Sequence, residues 1–100
     1  MSNSQSCANK LKTIADPHRL SIIKLLMNGP QHVNELNAVL ELEQSLLSHH
    51  LKVLRDAGFV QSKRDGKAVL YALTPEIQSA TQQQGLDLGC CEFSFTTFSL

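Results

Sequence analysis

The chain has 100 residues, 42% of them hydrophobic and 18% charged, which is material for one domain with one core and argues against both a disordered chain and a second domain. Nine Lys and Arg balance nine Asp and Glu, but every basic residue precedes Ala72, so residues 1–72 carry a net charge of +3 and residues 73–100 a net of −3. Apolar residues recur at helical spacing over residues 10–14 and again over residues 20–26, which predicts two short helices. Asp16 followed by Pro17 fits an N-cap with proline at the first helical position, and Asn28-Gly29-Pro30 ends the second helix. Val33, Leu36, Val39 and Leu40 predict a third, short helix, and the polar Glu43-Gln44-Ser45 suits a turn and a new start. Leu47, Leu51 and Leu54 repeat at i, i+4 and i+7 up to Gly58, placed to cap the fourth helix in a left-handed conformation.

Beyond Gly58 the period changes. Two β-prone runs, residues 59–64 and 67–73, flank Asp65-Gly66, a strong short signal for a hairpin. Thr74-Pro75-Glu76 looks like the start of a fifth helix running roughly to Gln84, after which Gly85 and Gly89 interrupt. The tail from Phe93 to Phe98 is apolar but irregular, and its pattern assigns no element. The expected organisation is a domain over residues 1–85 and a tail over residues 86–100 that carries adjacent cysteines.

This order of elements predicts a mainly α fold with a small β-hairpin: a winged helix-turn-helix of about five helices plus a two-stranded wing. A helix fits the major groove of duplex DNA, where its first residues reach base edges while nearby cations contact phosphates. Burying Leu47, Leu51 and Leu54 turns Gln44, Ser45, Ser48, His49 and Lys52 outward. Gln, Ser and neutral His exchange hydrogen bonds with base edges, and Lys52 suits a phosphate. Lys63, Arg64 and Lys67 form the wing, where cations meet backbone or an adjacent minor groove. Residues 44–72 carry a net of +3, the footprint of polyanion binding; by charge alone, a solvated face fits equally.

The stretch Ala15-Asp16-Pro17-His18-Arg19-Leu20, the run from Gln44 through Ser48-His49-His50-Leu51-Lys52 to Val60, the turn Arg64-Asp65-Gly66-Lys67 and the triplet Tyr71-Ala72-Leu73 closely resemble the ArsR/SmtB family of bacterial winged-helix repressors. The likeness covers roughly residues 11–75. It implies a homodimer, built mainly from the first and last helices, that binds an imperfect palindrome in its own promoter as double-stranded DNA. It also implies release when an inducer binds. Two-fold symmetry places half-sites one helical turn apart, ~34–36 Å, or a multiple of it.

Inducer sites differ within that family, so the ligands present must decide. Residues 32–39 of the third helix contain no cysteine, and residues 75–84 offer Glu76 and no histidine. What remains is Cys7 and the adjacent pair Cys90-Cys91. Thiolates suit soft ions, and three sulfurs make a trigonal pyramid around arsenite or antimonite. Redox or persulfide chemistry of the same thiols is an alternative, as is cadmium or lead with Asp87 or Glu92 as an oxygen ligand. Cysteine is also a common small apolar residue, and Cys7 in a Ser/Asn-rich arm also reads as simply unconstrained. Three is an odd number for an intramolecular disulfide framework. The start of the chain lacks a signal-peptide order and no run approaches ~18 apolar residues, so a cytoplasmic chain with reduced thiols is the expectation, with no membrane partner.

His49 and His50 point about 100° apart on a helix, which separates their roles: His49 toward DNA, His50 toward the core. His18 and His32 lie near helix starts. An enzyme built on Ser45 or Ser48 with His49, or on Cys90 with a histidine, lacks a third group, a strained nucleophile turn and an oxyanion-hole motif, so no catalysis is expected. A winged helix that serves only protein contacts is disfavoured by the basic wing.

Overall fold

Capping residues and apolar spacing delimit the first four helices. The structure, a computed structural model, describes residues 2–82, 85–88, 90 and 92–94. Helix α1 spans Ser2–Ile14 and α2 spans Pro17–Leu26. Between them Asp16 caps α2 as its position implies, its Oδ1 accepting from the backbone N–H groups of His18 at 2.9 Å and Arg19 at 3.1 Å. Helix α1 starts eight residues before the expected Lys10. Cys7, Leu11 and Ile14 fall at i, i+4 and i+7 on it, with Ile14 buried and Leu11 exposed, so Cys7 lies within the helix rather than in a loose arm.

Strand β1 is only Gln31–His32, followed by α3 over Val33–Leu40 and α4 over Gln44–Asp56. The turn between α3 and α4 is residues 41–43. Glu41 takes the left-handed conformation with φ 54°, and Asn37 Oδ1 accepts from the Leu42 N–H at 2.8 Å. At the other end of α4, Gly58 has φ +84° and the chain closes with Gly58 N–H to Arg55 O at 3.0 Å and Phe59 N–H to Leu54 O at 2.9 Å. This is a Schellman cap, for which glycine carries no side-chain penalty.

Strands β2, Val60–Asp65, and β3, Ala68–Leu73, form the wing. Asp65 pairs with Ala68, so the turn residues are Gly66 and Lys67, one position on from the Asp65-Gly66 of the sequence reading. Gly66 has φ +65° and Lys67 does not share the positive φ, the pattern of a turn with glycine first. β1 adds a third strand on the free edge of β3, with Gln31 opposite Tyr71 and His32 opposite Leu70.

Helix α5 is Pro75–Ala80, shorter than the expected run to Gln84. The chain leaves it at once into a second small sheet: β4, Thr81–Gln82, β5, Gly85–Asp87, and β6, Glu92–Ser94, in antiparallel order. Pairing with β5 claims residues that the sequence pattern gave to a helix. Leu86 and Leu88 of this segment are buried with Ile14, Ile22, Ile23, Leu26, Leu36, Leu47, Leu51, Leu54, Phe59, Val60 and Leu73 in one core. No described helix is long and apolar enough to cross a membrane.

Candidate nucleic-acid interface and thiol pair

Helix α4 is buried on one side and exposed on the other. Leu47, Leu51 and Leu54 are at most 2% exposed, whereas Gln44, Ser45, Ser48, His49 and Lys52 face solvent. His50 joins the buried side at 6% exposure, apart from His49 as the helical angle requires. Lys52 Nζ lies 3.0 Å from Asp56 Oδ2, an exposed i,i+4 pair that a competing phosphate displaces at little cost.

The wing places Lys63, Arg64 and Lys67 in solvent as well. Register separates them: Arg64 pairs with Val69 and Lys63 with Leu70, and residues paired across an antiparallel ladder share a face. A groove of about 680 Å³ runs between α3, the start of α4 and the wing, with Asn34, Asn37, Gln44, Ser48, Lys67 and Tyr71 among its lining. Val69 lines it too, which puts Arg64 on the groove face of the wing and Lys63 on the other. Asn34, Asn37 and Tyr71 are additions that apolar spacing does not signal. Each brings hydrogen-bonding groups to a concavity that already holds an amide, a hydroxyl and an ammonium.

Beneath α4 lies a polar cluster. The His50 ring is 5.5 Å from that of His18 and 5.6 Å from that of His49, and its Nε2 is 4.0 Å from Asp16 Oδ1. Burial pushes the His50 pKa down, against the pull of the Asp16 carboxylate, and Arg19, His18 and His49 push it the same way as burial. His50 is thus a buried polar group on the inner side of α4. For Asp16, burial acts upward, but the backbone N–H groups of Arg19 and His18, with His50 and Arg19 charges, hold its carboxyl below the usual 3.8.

Cys7 of α1 and Cys90 are joined in a disulfide, their Cα atoms 6.1 Å apart across 83 residues of sequence. This departs from the expected reduced thiols. A sulfur committed to an S–S bond is not a thiolate ligand, so Cys7 and Cys90 can hold an ion only after reduction. Cys91 lies outside the described residues. Asp87 and Glu92 face each other across β5 and β6, on either side of the loop that holds Cys90. Among the described residues no group of three His, Cys, Asp or Glu side chains is arranged to hold a metal ion.

Known proteins share this architecture. NmtR of Mycobacterium tuberculosis, an HTH-type transcriptional regulator, is 42% identical over 66 residues, which are 66% of this chain and 55% of NmtR. The chain thus spans little more than half the length of that curated relative. Reduced HlyU from Vibrio cholerae N16961 is 37% identical, with a TM-score of 0.72 over 78% of this chain and 83% of that one. A crystal structure of a possible transcriptional regulator for arsenical resistance is 38% identical, with a TM-score of 0.64 over 68% of this chain and 71% of the other. With its winged helix-turn-helix in place and the arsR-family pattern matching residues 16–62, the chain belongs to the arsR family of bacterial regulatory proteins.

Proposed function

We propose that the chain is a DNA-binding transcriptional repressor, acting as a homodimer on an imperfect palindrome in its own promoter and released by a thiophilic inducer. The observation that carries the DNA-binding half is α4 itself: one face is sealed into the core while Gln44, Ser45, Ser48, His49 and Lys52 are exposed. Gln44 and Ser48 open on the same groove as Lys67, so base-reading groups and a cation meet one stretch of duplex. Lys63, Arg64, Lys67 and Lys52 supply the phosphate contacts. Helices α1 and α5 supply the dimer contact; α5 has no fully buried side chain within the chain and α1 leaves Leu11 36% exposed.

Arsenite or antimonite is the proposed inducer, held by Cys7, Cys90 and Cys91 as three thiolates. The disulfide supports this, because two sulfurs close enough to bond are close enough to share one ion, and Cys91 is the next residue. The relative described for arsenical resistance supports the same inducer class. The exchange balances: arsenous acid and three thiols give three As–S bonds and three waters. Holding the end of the chain to α1 changes the surface that the two subunits share, which shifts the two reading helices relative to half-sites in the duplex.

The disulfide also favours a second reading, in which the pair is the sensor. Two thiols lose two electrons and two protons to a peroxide, giving one S–S bond and two waters. Titrating the reduced protein on promoter DNA with arsenite, cadmium and a peroxide separates the readings. Release by arsenite that vanishes in Cys90→Ser and Cys91→Ser supports the ion site; an unchanged response in those variants sinks it. Release by peroxide alone, lost in Cys7→Ser, supports the redox reading.

A further inference from the structure

His32 stands where three elements meet. It ends β1, precedes the first residue of α3, and reaches the tip of the wing. Its backbone N–H donates to Glu35 Oε1 at 2.7 Å, its Nδ1 lies 2.9 Å from the same oxygen, and its Nε2 lies 2.8 Å from Asp65 Oδ2. An ionised carboxylate only accepts, and a neutral imidazole has one N–H to give. Both ring contacts are met together only by the imidazolium.

We propose that His32 is a wing-positioning residue whose imidazolium latches the wing tip at Asp65 to the start of α3, so that operator affinity falls when the ring loses its proton. This rests on the DNA-binding reading above. Asp65 is the last residue of β2, directly before Gly66 and the groove-lining Lys67, so fixing its carboxylate fixes the approach of that ammonium. The charge argument runs the same way. With the proton, Glu35, His32 and Asp65 sum to −1 beside the proposed path of the phosphates; without it they sum to −2 and the tip loses its tether.

The surroundings of the ring are few. From α3 the titratable group is Glu35. β3 offers Leu70 opposite His32 and Ala68 opposite Asp65, neither charged, while its Tyr71 pairs with Gln31 and so sits on the other face. β2 brings Asp65 and, in the row His32, Leu70, Lys63, a cation two strands away; Lys67 follows in the turn. The contact with Asp65, and after it that with Glu35, raises the His32 pKa above its ordinary 6.5. Glu35 is lowered, first by the His32 backbone N–H and then by its ring. A raised value means that the latch is complete below 6.5 and is lost as pH climbs through the folded-state value.

The test pairs two measurements on the whole chain, wild type and His32→Gln, from about pH 5.5 to 9 at constant ionic strength. NMR follows the His32 ring nitrogens and the Asp65 and Gly66 amides; anisotropy follows binding to a promoter duplex. The latch requires both ring nitrogens protonated at low pH, a midpoint above 6.5, and wing-tip amides that move with it. Wild-type affinity then drops roughly 2- to 5-fold across that midpoint, the scale of one exposed ion pair, while His32→Gln is flat there and as weak as the deprotonated wild type. His18, His49 and His50 are present in both proteins, so the difference between the two isolates His32. A His32 midpoint at or below 6.5, wing-tip amides that ignore it, or a variant that keeps the wild-type pH profile overturns the proposal. If His32 titrates with the wing tip as described but no duplex binds at any pH, the DNA-binding reading has failed instead, and His32's role in binding falls with it.

Discussion

Helices α4 and α5 attach to the same core by opposite means. α4 spans Gln44–Asp56, buries Leu47, Leu51 and Leu54 at 2% exposure or less, and closes in a Schellman cap. α5 spans Pro75–Ala80, has no fully buried side chain, rests on the core only through partly buried Ile77 and Ala80, and runs straight into β4. Thr74 marks the change of regime: its hydroxyl does not cap α5 but donates to Gly58 O at 2.8 Å, tying the foot of the wing to the end of α4. Each fully buried Leu contributes about 1.5–3 kcal/mol, so α4 cannot shift without disrupting the core, while α5 itself can shift at smaller cost before Leu86 and Leu88 anchor the chain again. The lesson is a division of labour: rigidity where bases are to be read, and compliance in the short helix that joins the wing to the cysteine-bearing segment.

The largest expected effect tests that division directly. Leu54→Ala should cost about 2–5 kcal/mol in urea unfolding, whereas Ile77→Ala on α5 should cost about 1 kcal/mol. Equal losses would break the comparison. Next, Cys90→Ser and Cys91→Ser should each abolish arsenite-driven release, a coupling of about 1–3 kcal/mol, and leave affinity without arsenite within about twofold. Mixed effects on both quantities in a gel shift would show that the thiol segment is not separable from the reading head.

Asp16→Ala should remove the α2 cap and cost about 0.5–2 kcal/mol. Because the folded-state pKa of Asp16 is depressed, its contribution is present above 3.8 and is lost as pH falls through the lower folded value. Acid unfolding followed by circular dichroism should therefore lose that component in the variant, and an unchanged acid limb would contradict the assignment. The smallest effects sharpen the wing. Arg64→Ala should reduce the salt slope of duplex binding by about 1, and Lys63→Ala, on the face away from the groove, by less. Gln44→Ala should instead relax preference among operator variants, which a competition series measures.

The same division explains what could be read in advance. α4 was legible because Leu47, Leu51 and Leu54 repeat at a helical period and Gly58 stops them; the eight predicted DNA-facing residues are all exposed. The hairpin was legible from its glycine, and only pairing across the ladder could show that Lys67 rather than Asp65 shares the turn. α1 was under-read because Ser and Asn dominate its first turns, leaving Cys7 as the upper end of its apolar stripe. α5 was over-read because a Gln-rich run suits a helix until β5 pairs with it. β1 exists only because the edge of β3 recruits two residues. Two long-range links, His32 to Asp65 across 33 residues and Cys7 to Cys90 across 83, leave no periodic trace in the chain.

The most direct measurement is binding of the reduced chain to a duplex from its own upstream region across a salt series, with and without arsenite. The account predicts an affinity that falls steeply and linearly in log–log form with salt, and a complex that dissolves when arsenite is added. Binding that ignores salt, or a complex that persists with arsenite saturating the thiols, would contradict it.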